Sequence, residues 1–543
     1  MAQSASSRLS RAIVVPAFLE GALLLFLAFF YFFGGWTLNA PADLVLCNGD
    51  EPQTLDPAIV TGQLEGRICL ALFEGLTTRN AKGEVIPGMA ESWTISPDGL
   101  TYTFTLRPGI KWSNGDPVTA SDFVNSWERT LNPLTASQYS YQLYYLVNGE
   151  AYGTGKLKDF SQVGVKAPDK RTLIVTLVHP TAYFLELTSF QTLCPVHLPT
   201  VKKYGNDWTK PGRIVSNGPY VLKEWRLEDY ILVEANPYYW RPVPVHRIKV
   251  LPTNSPIACF NLFYSRKTDL ILDTRSIPPS LVQDIRKEPY FHANPFGATS
   301  FMRFNVKRKP FDDVRVRKAL ALALDKEDIV TKITRCGEAV ADTLVPPGNA
   351  GYQPPQGLAY NLAEARRLLA EAGYPNGQGF PDVKLLYAKR GVSEQVAAEM
   401  QALWRRDLGI TSIQLRAQEW KVYLNTQDLI DFDLCLSAWI GDYNDPQTFI
   451  DMFVTDGGNN DTGWGDPQYD QMLQTSENTA DPAQRMQILH DMEKILVDDG
   501  VPIVPIYFWV GMSLYYPDKV GGFEPNFVDD HRWGEFYIPG KKP

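Results

Sequence analysis

No two of the six cysteines (Cys47, Cys69, Cys194, Cys259, Cys336, Cys435) stand in a C-x-x-C pair. No two of the six histidines (His179, His197, His246, His292, His490, His531) lie within four positions of each other. Zinc binding and dithiol redox chemistry therefore have no local signature. The chain also lacks a G-x-S-x-G elbow, an H-E-x-x-H helix, a G-x-x-x-x-G-K-[ST] loop and a G-x-G-x-x-G turn. Nothing in it demands catalysis or a cofactor. Basic residues are in deficit, 52 against 61 acidic ones for a net charge of −9, the wrong sign for neutralising a nucleic-acid backbone. Internal repeats and low-complexity linkers are missing, so separate domains must be interwoven or joined by short strands.

What is present is a chain of 543 residues, enough for three to four domains at ~150 residues each. A composition of 44% hydrophobic and 21% charged residues suits large buried cores. The aromatic residues, 13 Trp, 26 Tyr and 27 Phe, suit a pocket wall as well as a core.

Arg8 and Arg11 precede the uncharged run from Gly21 to Phe33, and small residues follow at Ala40 to Ala42. This is the layout of a secretory signal over residues 1–42. The apolar stretch from Ala12 to Trp36 is also long enough for an uncleaved membrane anchor. Both readings put the bulk of the chain outside the cytoplasm, periplasmic or at the outer face of the inner membrane. No cysteine follows the apolar run before Cys47, which argues against a lipid anchor. Export permits disulfides, and buried free thiols are the alternative.

Residues 43–260 read as short strands and turns, with Tyr102, Phe104 and Leu106 on one face of Thr101 to Leu106 and with Leu173, Val175 and Leu177 alternating likewise. Ser96-Pro97-Asp98-Gly99 is turn chemistry, and a helix is expected from Ser121 to Thr130. From about residue 310 helices dominate. Asn361 is placed to cap Leu362 to Ala372, with Glu364 completing a capping box and Gly373 and Pro375 stopping the helix. Asp481 and Pro482 open another helix, with Met486, Leu489, Met492 and Leu496 on one face. Strands at Lys384 to Tyr387, Ile413 to Leu415 and Asp433 to Trp439 alternate with these helices, which predicts α/β layers with mostly parallel pairing.

One segment stands out as a site. In Trp439-Ile440-Gly441-Asp442-Tyr443-Asn444-Asp445-Pro446, Asp445 before Pro446 suffices to start the next helix, leaving Asp442 unassigned. A carboxylate at the C-terminal end of a strand stands where open α/β sheets place ligands. A second turn-stabilising aspartate is the local alternative. Carboxylate pairs such as Asp529 and Asp530 are read as solvated surface.

A series of motifs then runs in order along nearly the whole chain: Gly49-Asp50-Glu51-Pro52-Gln53-Thr54-Leu55-Asp56-Pro57, Leu72-Phe73-Glu74-Gly75-Leu76, Pro87-Gly88-Met89-Ala90-Glu91-Ser92-Trp93, Lys111 to Phe123, Ser216-Asn217-Gly218-Pro219-Tyr220 and Pro310 to Leu320. The chain resembles the extracytoplasmic oligopeptide-binding proteins of ABC importers, solute-binding family 5. That resemblance implies an α/β fold of two hinged lobes, of the class II-like periplasmic binding-protein type, plus an inserted third domain. The implied division is 43–73, 197–298 and 510–543 for domain I, 74–196 for domain II and 299–509 for domain III. It implies no enzyme activity and no cofactor, but a monomeric receptor that closes over an extended peptide and delivers it to membrane permease and ATPase subunits.

Backbone pairing of the peptide is indifferent to its sequence, so the chain end must be recognised. By the resemblance Asp442 pairs with the peptide's free amine. Thr61, Gly62 and Gln63 match a segment offering groups to the ligand, and Tyr139 matches an aromatic reaching it from domain II. Trp420 and Trp439 match pocket walls, and Gly441, Asn460 and Thr462 match further ligand-contacting positions. Leu436 and Thr334 stand where relatives hold basic groups near the peptide's carboxyl end, with Arg335 as a neighbouring candidate. Ala298 and Ile440 replace cysteines found in some relatives. The alternatives are a same-family receptor for a murein peptide, an oligosaccharide or a metal chelate, a membrane-tethered sensor, and, least supported, a peptidase.

Overall fold

The computed structural model describes residues 41–541 apart from Ala350, Ala480 and Pro525. The expected signal or anchor lies outside the described residues, except for Pro41 and Ala42. Among those described, no helix is long and apolar enough to cross a membrane.

Strand β1 (Leu44–Cys47) enters a large sheet directly, and the chain then leaves it for a region rich in antiparallel pairs. There β2 (Thr77–Arg79) pairs with β3 (Val85–Pro87), and β4 (Ala90–Ile95), β5 (Thr101–Leu106), β6 (Val165–Lys166) and β7 (Thr172–Thr176) form a sheet in the order β4-β5-β7-β6. Alternation decides which face is covered: Tyr102, Phe104 and Leu106 are buried together with Leu173, Val175 and Leu177. The helix expected nearby runs Ala120–Leu131, its first turn closed by a reciprocal capping box between Thr119 and Asp122.

The chain returns to the large sheet with β8 (Tyr220–Arg226), β9 (Tyr230–Ala235), β10 (Arg247–Leu251) and β11 (Leu270–Ile271). Two long strands then dominate, β12 (Phe291–Phe304) and, much later, β17 (Ile503–Tyr515). Between them lie β13 (Ala339–Val340), β14 (Val383–Ala388), β15 (Ile413–Gln418) and β16 (Leu434–Ile440). The path across the sheet is β15-β14-β16-β12-β17-β11-β1-β10-β9-β8, with β13 on β17. β12 and β17 pair with each other over most of their length and carry the sheet from one half to the other. Their register shifts between Pro295 and Thr299. Gly297 sits in that shift, where a Cβ would lie 2.3 Å from the Phe527 ring.

The parallel pairing expected after residue 310 holds for β14 with β15 and for β14 with β16. β12 and β17 run antiparallel to their neighbours, so the sheet is mixed. The cores are correspondingly separate. One gathers residues from Leu44 to Leu272 with Tyr443 and Tyr515 to Phe536, whereas two others lie within Phe301 to Tyr507.

Two local readings need correction, and a third is decided between its alternatives. Asn361 accepts a hydrogen bond from the Glu364 N–H as expected, but the Glu364 side chain pairs with Arg367 instead of completing the box. Asp529 and Asp530 are not solvated surface: Asp529 is buried between Arg67 and His531, and Asp530 pairs with Arg79 and Arg532. They tie the C-terminal segment to the helix Gln63–Leu72 and to β2. All six cysteines are buried free thiols.

Candidate functional site

Three neighbouring parallel strands, β15, β14 and β16, end on the same edge of the sheet. Two residues beyond each end stands a distinctive side chain: Trp420 after Gln418, Arg390 after Ala388 and Asp442 after Ile440. This is the crevice at strand carboxyl ends where α/β sheets take ligands.

Asp442 is held from behind. The Gly441 N–H donates to the Gly297 carbonyl at 2.8 Å, anchoring the turn to the bend in β12. A Cβ at Gly441 would stand 3.0 Å from the Phe449 ring, a tight contact that glycine avoids. The Asp442 N–H donates to Thr448 Oγ1 at 3.0 Å, and Trp439 Nε1 donates to the Thr448 carbonyl at 2.7 Å. Helix initiation falls to Asp445, which accepts from the Gln447 N–H at 3.0 Å and is clamped by both Arg485 nitrogens at 2.7 and 2.8 Å. The turn reading is thus satisfied by Asp445 alone.

The Asp442 carboxylate has no cationic partner among the described residues. Its side-chain neighbours are hydroxyls from the inserted segment, Tyr139 at 3.5 Å from Oδ1 and Tyr141 at 3.4 Å from Oδ2, both at the long limit of a hydrogen bond. Burial raises its pKa to about 7, with the tyrosines and Gln142 pulling the other way. Behind it, Asp451 is pushed well above the usual carboxylate range by burial and then by the Asp442 charge. The buried Gln142 amide leans on the Asp442 carboxylate, but neither its oxygen nor its nitrogen makes a hydrogen bond of full geometry. A half-buried carboxylate with slack hydroxyls and a loosely held amide beside it is arranged to receive a cation.

The inserted segment closes over this edge. Tyr183 stacks on Tyr443 with ring centres 4.2 Å apart, the Asn444 N–H donates to Glu186 at 2.9 Å, and His179 approaches Glu477 at 3.5 Å.

The other expected site residues divide. Trp420 is 39% exposed at the crevice, stacked between Arg390 and Tyr423. Thr61, Gly62 and Gln63 lead into the helix Gln63–Leu72, with Gln63 donating to Asp529 at 3.2 Å. Asn460 and Thr462 are buried in the loop that follows Phe453. The Asn460 amide donates to the carbonyls of Phe453, Val454 and Trp464, and Thr462 Oγ1 donates to Asn460 Oδ1 at 2.5 Å, so these side chains hold their own loop. Thr334 is buried against Glu338, and Arg335 is exposed. Ala298 and Ile440 stand opposite each other across β12 and β16. Sequence reasoning missed Tyr141, Gln142 and Arg390, which carry no motif and are recognised by position alone. The cavity at the opposite edge of β14 and β16, lined by Arg308, Lys384, Arg416 and Asp433, lies away from this site.

Comparison with known proteins places the chain in a family. Residues 84–461 match the model of the bacterial extracellular solute-binding proteins, family 5 Middle. The chain is 35% identical over 503 residues to the periplasmic oligopeptide-binding protein OppA of Escherichia coli, covering 90% of this chain and 91% of that one. The crystal structure of Haemophilus influenzae OppA in complex with RPPGFSPFR superposes with a TM-score of 0.84 at 32% identity, over 92% of this chain and 99% of that one. The E. coli murein tripeptide binding protein MppA gives 0.85 at 32% identity, covering 92% and 99%, whereas its unliganded open form gives 0.68, covering 92% and 98%. The lobes here are therefore not disposed as in that open form. The chain belongs to the bacterial extracellular solute-binding proteins, family 5.

Proposed function

We propose that this protein is an extracytoplasmic receptor that encloses an extended oligopeptide between two lobes and delivers it to an ABC importer. The observation that carries the reading is Asp442, a half-buried carboxylate at a strand end, without a cation and closed over by Tyr139 and Tyr141. A peptide ammonium between these groups supplies the missing charge, and the closed crevice makes an amine-free ligand expensive to seat. Relatives named for oligopeptides, one of them with a nonapeptide bound, support the same ligand class.

Domain I is taken as 43–73, 197–298 and 510–543, domain II as 74–196 and domain III as 299–509. The separation of the cores and the passage of the sheet through β12 and β17 support that division, with the hinge at the register shift. The protein acts as a monomer and leaves ATP hydrolysis to the importer's own subunits.

The test is titration calorimetry of peptides and their N-acetylated forms with the native protein and with Asp442→Asn. Free-amine peptides should bind the native protein and lose affinity in the variant. Equal affinity for acetylated and free-amine peptides would remove the anchor assignment.

A further inference from the structure

The crevice carries a second charge, of opposite sign to Asp442. Arg390 lies two residues past β14, and its guanidinium carbon stands 3.9 Å from the centre of the Trp420 ring. Trp420 in turn stacks on Tyr423, with ring centres 5.5 Å apart and planes 15° from parallel. Tyr423 is fixed from below, its hydroxyl 2.7 Å from Gln427 Oε1 and 2.9 Å from the Leu436 carbonyl. The guanidinium thus lies over a two-ring platform, and among the described residues its nitrogens make no ion pair.

Among the described residues no carboxylate pairs with Arg390. The acids closest in its field are Asp273 and Asp50, across the crevice on the β1 side of the sheet. Asp273 is already spent: Arg275 binds both its oxygens, at 2.9 Å from Nε to Oδ1 and 2.9 Å from Nη2 to Oδ2. Asp50 is exposed to water. Burial lowers the Arg390 pKa to about 10, and the like charge of Arg275 adds to the effect. A half-buried cation in the field of another cation, without an anion of its own, is an unbalanced arrangement. An incoming anion would balance it.

The strand register sets where that anion belongs. Leu386 of β14 lies beside Cys435 of β16, so Arg390 falls level with Trp439, three residues short of Asp442. At ~3.3 Å per residue this is roughly 10 Å along the strand direction. That is the reach of a few extended peptide residues.

We propose that Arg390, stacked on Trp420, is an anion subsite of the crevice that takes a carboxylate of the bound peptide. The inference rests on the peptide reading above and adds the second charge recognised. The carboxylate comes either from the peptide's C-terminus or from an acidic side chain.

Two sets of free-amine peptides of two to five residues distinguish these sources: C-terminal acids against amides, and Glu against Gln in amidated chains. Affinities are measured by calorimetry with the native protein, Arg390→Met, which keeps the apolar stem, and Arg390→Lys, which keeps the charge. The native protein should prefer the carboxylate member of one set by about tenfold to a hundredfold. Arg390→Met should erase that preference while still binding the neutral member within about threefold, and Arg390→Lys should retain part of it. Thermal unfolding of each variant shows whether a loss is a loss of fold, and a folded Arg390→Lys with partial preference still supports the subsite. If native and Arg390→Met proteins discriminate equally, or neither discriminates, the subsite is refuted. If that happens while N-acetylation still abolishes binding, Asp442 and the peptide reading survive. If no peptide binds the native protein, both fall.

Discussion

Acidification should release peptide from this protein through a single carboxylate. Asp442 titrates at about 7 in the ligand-free crevice because burial disfavours its charge. A peptide ammonium, with a pKa near ~8, needs the ionised form. Below the carboxylate's pKa binding must expel a proton, so the affinity falls about tenfold at pH 6 and about a hundredfold at pH 5, at ~1.4 kcal/mol per decade. Above pH ~8 the peptide amine itself loses its proton and affinity falls again, so the optimum lies between about pH 7 and 8. Calorimetry in two buffers of different ionisation enthalpy should count roughly half a proton released at pH 7. Asp442→Asn should flatten the acid limb and weaken binding at pH 7.5 by about 2–5 kcal/mol. An acid limb that persists unchanged in Asp442→Asn would refute the reasoning, since the titrating group would then lie elsewhere.

The same carboxylate acts on stability with the opposite sign to an ordinary paired aspartate. Its folded pKa is raised to about 7, so the ligand-free protein loses stability as pH rises from about 4 to 7, by up to roughly 4 kcal/mol. Asp442→Asn should therefore raise the urea midpoint of the ligand-free protein at pH 8 and leave it nearly unchanged at pH 4. Arg485→Met should destabilise by about 3–5 kcal/mol in urea unfolding, because it leaves Asp445 buried and charged without its two-pronged partner. Gly218→Ala should lower the thermal midpoint by several degrees, since the new Cβ would meet Leu72 backbone atoms at 2.6 Å. The six thiols, all buried, should react with a thiol reagent only after denaturation.

The strands around Tyr102 and Leu173 were legible because period-two alternation is a local pattern that burial on one face enforces. The capping aspartates were legible too. Asp481 caps its helix through the N–H groups of Ala483 and Gln484, a bond between residues two and three apart. Asp529 was misread because its partners Arg67 and Gln63 lie more than 460 positions away in the chain. A carboxylate pair near a terminus looks solvated until the fold brings a guanidinium to it. Asn460 and Thr462 show the converse. Their polarity marks a loop, and only the hydrogen-bond geometry shows that the loop consumes it.

For the site, the sequence by itself singled out Asp442 as the candidate. A proline-backed aspartate three residues on already starts the helix, so the first carboxylate has no local duty, and the motif's resemblance to a family supplied the rest. What only the tertiary structure decided is its company. Tyr139 and Tyr141 reach Asp442 from 300 residues away, and Arg390 and Trp420 join it because β14, β15 and β16 lie parallel and end at one edge. Periodicity and capping are written in neighbours along the chain. Charge balance in a crevice is a sum over residues that meet only when the sheet is assembled, and no stretch of sequence carries that sum.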